Sequence, residues 1–408
     1  MKKIFSLMIV LVMAVSAFAG CQTKEKTASP DEVSIEATQD EAVNVATQDE
    51  AVDVATPDEV AQNDGFTAPE TVDVKELMED LPELSAEDFV SDHHKCNMLY
   101  HNGLLYSNGK IYDGKGEDKT YSKEYIRYFS INDSVILYAV LDKDKEQSEI
   151  WAVLADCSRR AKLTLAKGYA DPLFIDNGLL YYTEGVVRDS INTLDLNTGE
   201  ITQIVSHCHM IMNIGRKLYF QDMSDREDDE TALCCYDLDT KEQKEIYRMT
   251  GAGRVIVDHD LMYFESNNTV YRLDPQTDSP EEYVKIPEEG WLFIIVNGTV
   301  VYEEAADFDD HSLWAVSDTQ PAHKLFDTRK SHFYSCLGDA YYLDANVMDV
   351  GIINYYYDGT ELKEHPEVEG DKENRLVFVK DGKFFYQDGK TILMSTEYVD
   401  DETYPSNK

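Results

Sequence analysis

The stretch that decides the fold is residues 178–206, GLLYYTEGVVRDSINTLDLNTGEITQIVS. It begins with an apolar run that ends in two aromatic residues, Tyr181 and Tyr182. A second run leads to Leu194 and Asp195, and a third run follows the turn sequence Asn-Thr-Gly. Short apolar runs that are separated by Gly, Asn and Asp are typical of β-strands joined by tight turns. The stretch therefore predicts three consecutive strands.

The same phrase recurs to the end of the chain, and this repeat predicts the architecture. Its copies align on the aromatic residue that ends the second strand of each unit: Tyr106, Tyr138, Tyr182, Phe220, Phe264, Tyr302, Tyr342 and Tyr386. Successive copies are 32 to 44 residues apart. Asn-Gly and Asp-Gly pairs precede several of these strands, and they favour hairpins because primed turns need positive φ. Four strands per unit of about 40 residues, with no helices between them, are typical of propeller blades.

We therefore predict an all-β protein in which residues 93–398 form a β-propeller of about eight four-stranded blades. The first unit is irregular, because only 32 residues separate its aromatic residue from the next one. The last unit, from residue 374, contains three clear strands. Ring closure is expected to borrow a strand from the other end of the chain, which leaves seven blades as the alternative. The eight aromatic residues are predicted to pack between neighbouring blades.

Residues 1–20 are predicted to be a signal peptide. Two lysines precede an apolar run at residues 4–17, which is too short for a membrane-spanning helix of about 20 residues. Residues 18–21, FAGC, resemble a bacterial lipobox, in which the cysteine is diacylated and becomes the new N-terminus. Two acyl chains on Cys21 would hold the protein stably on a membrane. We predict an extracytoplasmic lipoprotein anchored to the bacterial cell membrane; the alternative is an ordinary secretory signal with an incidental cysteine.

Residues 21–72 are predicted to be a lipidated, acidic tether. Three near-copies of a nine-residue sequence start at Ala37, Ala46 and Ala55. Such a segment buries too little apolar surface to offset its ordering entropy, and its like charges keep it extended. The tether would separate the anchor from the folded part, although neutral expansion of the repeat explains it equally well.

A short helical lead-in is predicted at residues 73–92. Four apolar residues lie on one helix face: Val74, Leu77, Met78 and Leu81. Pro82 ends this run, because proline cannot continue a helix interior. We expect the lead-in to pack on the edge of the propeller, and we assign residues 399–408 to a C-terminal tail.

The formal net charge of −42 limits the possible partners. Residues 22–92 contain 21 acidic residues and only three lysines, and the rest of the chain is acidic as well. Like charges repel, so neither nucleic acid nor anionic lipid is expected to bind the folded part. The simplest explanation of this acidity is solubility. The expected partners are an envelope protein or a glycan, and we expect a monomer.

Besides Cys21, the chain contains six cysteines, and their spacing fits neither a disulfide framework nor a zinc motif. The adjacent residues Cys234 and Cys235 would point to opposite faces of a strand. We predict that they are small buried residues, since a free cysteine behaves as a small hydrophobe.

Two departures from the repeat are candidate ligand-binding sites. His207 and His209 would share one face of a strand, from which both imidazoles could reach a ligand or a metal. No third metal ligand follows at a recognisable spacing. Trp291 follows a glycine at the start of a unit and is a candidate for stacking on a sugar or another ligand.

Acidic stretches at residues 142–144, 222–230 and 307–310 are interpreted as solvated loops, because they match no EF-hand spacing; calcium binding is the alternative, since the stretches are rich in carboxylates. The sequence contains no Gly-x-Ser-x-Gly elbow, P-loop, dinucleotide fingerprint or zinc-protease helix. We therefore predict no catalytic residue, no cofactor and no resident metal.

The phrases NGLLYYTEG and INTLDLNTGE, at residues 177–185 and 191–200, resemble the repeats of a family of bacterial lipoproteins. These lipoproteins contain propellers of unknown function that are similar to the propeller of low-density-lipoprotein-receptor-related proteins. The resemblance covers about residues 96–397, and YYTE at residues 181–184 is the nearest match to the receptor sequence Tyr-Trp-Thr-Asp. It implies a propeller on a lipoprotein and supplies no catalytic residues.

These observations together predict a membrane-anchored binding or scaffolding protein. Its propeller would offer a face or a central funnel to a protein, peptide or glycan at the cell surface. The alternative is a propeller enzyme, a hydrolase, lyase or dehydrogenase acting on cell-surface or imported polymers, because propellers also carry such activities. Carboxylates, histidines or arginines that converge in the funnel would favour the enzyme.

Overall fold

In the computed structural model, the folded part of the chain lies within residues 63–408. The structure describes residues 66–396 except for residues 92–97, 117, 143, 186–189, 225–229, 251–254, 289, 308–309, 329–333, 337, 348–350, 366–374 and 389–390. The predicted signal peptide, Cys21, most of the tether and the C-terminal tail lie outside the described residues. The segment boundaries stay predictions.

The segment before blade 1 contains two short strands: β1 (Glu70–Thr71) lies at the end of the predicted tether, and β2 (Val90–Ser91) lies in the predicted lead-in. Helix α1 (Val74–Glu79) and a 3-10 turn (Ala86–Asp88) lie between them. Blades 1 to 4 follow in chain order and contain β3 (Met98–His101), β4 (Leu104–Ser107), β5 (Lys110–Tyr112), β6 (Lys119–Thr120), β7 (Ile126–Ile131), β8 (Val135–Asp142), β9 (Gln147–Leu154), β10 (Arg159–Lys167), β11 (Pro172–Asp176), β12 (Leu179–Glu184), β13 (Ser190–Asp195), β14 (Ile201–Ser206), β15 (Cys208–Ile214), β16 (Lys217–Asp222), β17 (Glu230–Asp237) and β18 (Gln243–Thr250).

The remaining sheets continue the same order. They contain β19 (Val255–Asp258), β20 (Leu261–Ser266), β21 (Thr269–Asp274), β22 (Ser279–Lys285), β23 (Gly290–Val296), β24 (Thr299–Asp307), β25 (Asp310–Val316), β26 (His323–Thr328), β27 (Tyr334–Cys336), β28 (Tyr341–Val347), β29 (Gly351–Tyr357), β30 (Leu362–His365), β31 (Arg375–Lys380), β32 (Lys383–Asp388) and β33 (Thr391–Ser395).

This order confirms the predicted all-β propeller. In the described part of the chain, seven blades consist of four consecutive antiparallel strands, and an eighth sheet, β31–β33, has three. The first strand of one blade contacts the first strand of the next, as β7 contacts β11 and β19 contacts β23. Each sheet therefore extends outward from a common axis, and its two faces are covered by its neighbours.

The aromatic residue that ends the second strand is buried, as the repeat predicts. At most 4% of the side chain is exposed at Tyr106, Tyr138, Tyr182, Phe220, Phe264, Tyr302 and Tyr386, whereas the side chain of Tyr342 lies outside the described residues. Tyr106 and Tyr138 share one apolar cluster that joins blades 1 and 2. Phe264 belongs to a cluster that joins blades 4 and 5. The prediction that these residues pack between blades is confirmed.

The two adjacent cysteines also occupy the predicted positions in the core. Cys234 and Cys235 in β17 are each 3% exposed and belong to two different apolar clusters, so they point to opposite faces of blade 4. Burial raises the pKa of the Cys234 thiol to about 12 and that of Cys235 to about 11. Both thiols therefore stay protonated and unreactive at neutral pH. Cys96 and the side chain of Cys336 lie outside the described residues.

The ring closes where the eighth sheet meets blade 1. Leu105 in β4 packs in one apolar cluster with Phe378 and Phe385 of the eighth sheet. The ring centroid of Tyr100 lies 5.4 Å from that of Phe385, and Lys383 Nζ donates a hydrogen bond to the Tyr100 hydroxyl at 2.5 Å. Blade 1 therefore buries its second face against the last sheet of the chain.

Blade 1 also contributes backbone to the eighth sheet. Lys115 forms an antiparallel bridge with Leu393 in β33, and the Met394 N–H donates to the Gly114 carbonyl at 3.1 Å. The segment between β5 and β6 thus lies beside β33, where a fourth strand would be. Among the described residues, this two-residue contact is present but no borrowed strand is, so the prediction that closure borrows a strand is not confirmed.

The segment before blade 1 covers both edges of blade 2. β1 pairs in parallel with Arg159 and Arg160 at the start of β10, and β2 pairs antiparallel with the end of β7. Helix α1 begins after Asp73, whose carboxylate accepts from the Glu76 N–H at 2.8 Å. Leu77 of this helix is fully buried in the core. The sheet of blade 2 therefore has six strands and no exposed edge strand of its own.

A buried ion pair fastens the end of the lead-in to blades 3 and 4. Arg216 Nη1 donates to Asp176 Oδ1 at 2.7 Å and to Ser85 Oγ at 3.1 Å, and the Ala86 N–H donates to Asp176 at 3.2 Å. Burial alone would raise the pKa of Asp176, which is 2% exposed, but the Arg216 donors outweigh this effect and lower it.

Among the described residues, no helix is long and apolar enough to cross a membrane.

Aspartates fix the turns between third and fourth strands. The N–H groups of Asn197 and Thr198 donate to the Asp195 carboxylate at 2.8 and 3.1 Å and lower its pKa. In the next blade, the Thr240 N–H donates to Asp237 at 2.9 Å and likewise lowers its pKa. An ionised Asp that accepts backbone N–H bonds favours a turn. Some of the acidic residues of the chain therefore stabilise turns of the fold.

Gly114→Ala should weaken ring closure more than the matched control Gly116→Ala. Both glycines have positive φ, 72° and 97°, so alanine is strained at either position. A Cβ at residue 114 would lie 2.8 Å from Met394 Cβ, whereas one at residue 116 meets nothing within 4 Å. We expect a loss in the free energy of unfolding of about 1 kcal/mol for Gly116→Ala and about 2–4 kcal/mol for Gly114→Ala.

Equilibrium denaturation of the full chain, followed by tryptophan fluorescence, measures both losses. Equal losses would show that the close approach of residue 114 to β33 contributes nothing to closure.

Candidate functional site

The antiparallel order gives the ring two different ends. At the turn end, the first strand of a blade turns into the second, and the third turns into the fourth. At the loop end, the second strand leads into the third, and the fourth leads into the next blade. In blade 3, Leu179 pairs with Asp195 at the turn end. Glu184 pairs with Ser190, which pairs with Ser206, at the loop end.

The topology places every sequence candidate at the loop end. His207 connects blade 3 to blade 4, His209 is the second residue of β15, and Trp291 is the second residue of β23. The three acidic stretches all follow the second strand of a blade, in blades 2, 4 and 6, and parts of them lie outside the described residues. Candidates that are far apart in the sequence therefore belong to one end of the ring.

A cavity of about 680 Å³ lies at the loop end, where blade 3 meets the connections from blade 2 and to blade 4. Its lining comes from three blades and consists of Lys167, Glu184, Gly185, Ser190, Gln203, Ser206, His207, Cys208, His209 and Met223. The structure thus brings the two predicted histidines together in one cavity. It places Trp291 elsewhere, in blade 6.

Glu184, the last residue of β12, supplies the carboxylate of the cavity. The Lys167 N–H donates to Glu184 Oε1 at 2.6 Å, and Asn192 Nδ2 donates to Oε2 at 3.0 Å. Ser190 Oγ donates to the Glu184 carbonyl at 3.2 Å. Asn192 is 3% exposed, so one of the two carboxylate partners is fixed in the core. The carboxylate is held in one orientation, and its remaining lone pairs can accept hydrogen bonds from a ligand.

His207 is held by its backbone rather than by a strand. Its φ is 54°, a left-handed conformation, and its carbonyl accepts from the Met223 N–H at 2.7 Å. His207 Nδ1 and Ser206 Oγ lie 3.2 Å apart, and the imidazole is exposed. β15 begins only at Cys208, so the expectation that His207 and His209 share one strand face is wrong. The alternation of a strand does not apply to a residue with positive φ.

Tyr169 stands beside the cavity on the connection from blade 2 to blade 3. Its N–H donates to the Gly185 carbonyl at 3.1 Å, and the Gly185 N–H donates back to the Tyr169 carbonyl at 3.2 Å. The Tyr169 side chain is 36% exposed. Two backbone hydrogen bonds therefore fix an accessible aromatic residue next to a glycine that lines the cavity.

Sequence reasoning missed Glu184, Lys167 and Tyr169 as site residues. Glu184 stands in the YYTE stretch, to which the resemblance to the receptor sequence assigns no role. One sequence signal could have identified Glu184 as a site residue, namely the length of the segment between the second and third strands of a blade. Glu184 is the last residue of the second strand of blade 3, directly before such a segment.

Trp291 pairs with Glu303 across β23 and β24. Its side chain lies outside the described residues, so its role as a ligand contact stays a prediction. Glu303 is 2% exposed and contacts His311 Nδ1 through Oε1. Within the part of the chain that the structure describes, no three His, Cys, Asp or Glu side chains are placed to hold a metal ion.

Several solved structures are similar to this chain. The β-propeller domain of the Trilobed protease from Pyrococcus furiosus is 14% identical, with a TM-score of 0.36; the match covers 64% of this chain and 77% of that one. A prolyl endopeptidase is 15% identical, with a TM-score of 0.46, over 78% of this chain and 57% of the endopeptidase. An oligogalacturonate lyase in complex with manganese is 12% identical, with a TM-score of 0.37; the match covers 64% of this chain and 85% of the lyase.

These similarities concern the propeller fold alone, and the chain spans little more than half of the prolyl endopeptidase that it matches. No protein-family model matches the sequence, and no curated protein matches it.

His207→Gly should leave the protein at least as stable as the wild type, whereas His209→Gly should destabilise it. Glycine adopts the left-handed conformation of residue 207 without strain, which favours the folded state by up to about 1 kcal/mol. At residue 209, inside β15, glycine costs about 0.5–1 kcal/mol. Thermal unfolding of the two variants of the full chain compares them. Equal losses at both positions would show that the side chain of His207, and not its backbone, stabilises the connection.

Proposed function

We propose that this chain is a membrane-anchored extracytoplasmic lipoprotein whose propeller binds a protein, peptide or glycan at the cell surface. The observation that carries the proposal is the cavity at the loop end, where groups from three blades converge. Its volume falls within the range of about 300–1,000 Å³ that is usual for small-ligand sites. The ligand site is this cavity, and a peptide or glycan chain enters it from the loop end.

The lining of the cavity suits recognition. Glu184 and Lys167 provide opposite charges, Ser190 and Gln203 provide neutral donors and acceptors, and Met223 provides an apolar surface. The Glu184 carboxylate is already fixed by protein donors, so little ordering remains to be done when a ligand binds. A few oriented polar groups on a rigid scaffold are what specific binding needs.

The chain before blade 1 joins the ring away from the cavity. β1 pairs with the first two residues of β10, Arg159 and Arg160, at the turn end, whereas Lys167, the last residue of β10, lines the cavity. The cavity is therefore not covered by β1. The proposed lipid anchor on Cys21 is supported by the lipobox-like sequence and by the resemblance to lipoprotein propellers.

A propeller enzyme is the second candidate, because Glu184, His207 and His209 line one cavity. A carboxylate beside imidazoles is a usual arrangement for proton transfer. The chemistry of the cavity therefore includes turnover of a bound polymer as the alternative to stable capture.

Cys21→Ser should abolish lipidation and release the protein from the membrane. The thiol of Cys21 is the proposed site of the diacylglyceryl group, and without it no acyl chain holds the chain on the bilayer. Bacteria that express the full chain are labelled with an alkyne analogue of palmitate, and membrane and soluble fractions are compared. Cys157→Ser, which removes a thiol from a turn of blade 2, is the matched control and should keep the label. A Cys21→Ser protein that stays labelled and membrane-bound contradicts the anchor.

Gln203→Trp should block the cavity and weaken ligand binding at least tenfold. Gln203 is exposed on β14 and lines the cavity, so the indole fills space without disturbing the core. Gln243→Trp is the matched control, because Gln243 is exposed at the start of the corresponding strand of blade 4. The full chains in detergent are screened against peptides and oligosaccharides, and both binding and product formation are measured.

Loss of binding in Gln203→Trp alone supports the proposed site. Unchanged binding in both variants would place the ligand elsewhere. Product formation without capture, lost in Gln203→Trp, would favour the enzyme.

A further inference from the structure

The hydrogen-bonding groups of the cavity suit hydroxyl groups. Each oxygen of the Glu184 carboxylate accepts one bond from the protein, at 2.6 Å from the Lys167 N–H and at 3.0 Å from Asn192 Nδ2. A carboxylate has about four lone-pair positions, so two remain for a ligand. These positions need donors. The carboxylate therefore favours a ligand that presents O–H or N–H groups.

The other polar groups of the cavity need acceptors as well as donors. Gln203 carries an amide with both functions, Ser206 has a hydroxyl, and Lys167 has an ammonium group that only donates. An anionic ligand would supply acceptors but would face the Glu184 carboxylate without a donor. A purely cationic ligand would supply donors but would face Lys167. Sugar hydroxyls, each both donor and acceptor, satisfy both kinds of group at once.

Tyr169 is an exposed aromatic residue next to Gly185, which lines the cavity, although Tyr169 itself does not. The two backbone hydrogen bonds with Gly185, at 3.1 and 3.2 Å, hold it at the edge of the cavity. The residue is 36% exposed and lies at the loop end. The C–H face of a sugar ring is apolar and packs on such an aromatic residue, while the hydroxyls around it reach polar partners.

The charge of the protein selects against acidic sugars. The chain is acidic outside residues 22–92 as well, and Asp222 stands at the loop end of blade 4, next to blade 3. This field repels uronic acid and phosphate groups. A polyhydroxyl ligand without negative charge is therefore favoured.

We propose that the cavity at the loop end of blade 3 binds a neutral oligosaccharide. The Glu184 carboxylate accepts hydrogen bonds from the sugar hydroxyls, and Tyr169 packs on a sugar ring. This inference rests on the proposed function, because it names the ligand class of the same cavity.

Calorimetric titration of the full chain in detergent tests the ligand class. The probes are neutral cello-, malto-, manno-, xylo- and chito-oligosaccharides, acidic uronate oligosaccharides, and lysine-rich peptides. At least one neutral oligosaccharide should bind. Glu184→Gln and Tyr169→Ala should each weaken its binding at least tenfold, because the first removes a charged acceptor and the second removes the packing surface.

Tyr125→Ala is the matched control. Tyr125 is 70% exposed and also lies at the loop end, but it stands immediately before β7, in the connection from blade 1 to blade 2, and not beside Gly185 as Tyr169 does. Its removal should leave binding unchanged. Equal losses in Tyr125→Ala and Tyr169→Ala would move the aromatic contact away from the cavity.

The outcomes separate this inference from the proposed function. If a peptide or an acidic oligosaccharide binds instead, and Gln203→Trp stops it, the cavity is the ligand site but the ligand class is wrong. If a neutral oligosaccharide binds and neither Glu184→Gln nor Tyr169→Ala affects it, the proposed contacts are wrong. If no probe binds to a wild-type chain that shows cooperative unfolding, both the inference and the binding function fail.

Discussion

Each blade can bury both of its faces only if a neighbour lies on each side, and the rest of the structure depends on this constraint. Blade 1 meets it because Leu105 packs with Phe378 and Phe385 from the last sheet of the chain. The adjacent cysteines, Cys234 and Cys235, show the same requirement within one blade, since each belongs to the cluster on a different face. A gap at any one interface would expose the apolar faces of two blades. Closure is therefore a condition for the whole core and not a local detail.

The constraint assigns different roles to the two ends of the ring. At the turn end, Asp195 and Asp237 accept backbone N–H groups, and the lead-in is fastened there by Asp176 and Arg216. These contacts fix the strand ends and leave little variation between blades. At the loop end, the segments between second and third strands differ in length and charge from blade to blade. Only these loop-end segments can change in sequence and length without disturbing the packing of the core. The cavity lies at that end.

The sequence predicts the periodic part of the structure and not the site. Tyr182 and its equivalents are predicted correctly because each repeats at a spacing that only the fold explains. The cavity combines Lys167, Glu184 and Gln203 from separate strands of two blades, and no spacing along the chain reveals that proximity. His207 was assigned to the right region but to the wrong conformation. Its positive φ arises from the connection between two blades, which local strand alternation does not describe.

The outer strand of blade 2 joins the two ends of the ring. Its first residues, Arg159 and Arg160, pair with β1 at the turn end, and its last residue, Lys167, donates its N–H to the carboxylate of the cavity. A strand of nine residues spans about 30 Å at roughly 3.3 Å per residue. The contacts of β1 and the cavity are therefore separated by the full height of the ring. Substitutions in the cavity lie far from the contacts that fasten the segment before blade 1, so the lining of the cavity can vary without loosening them.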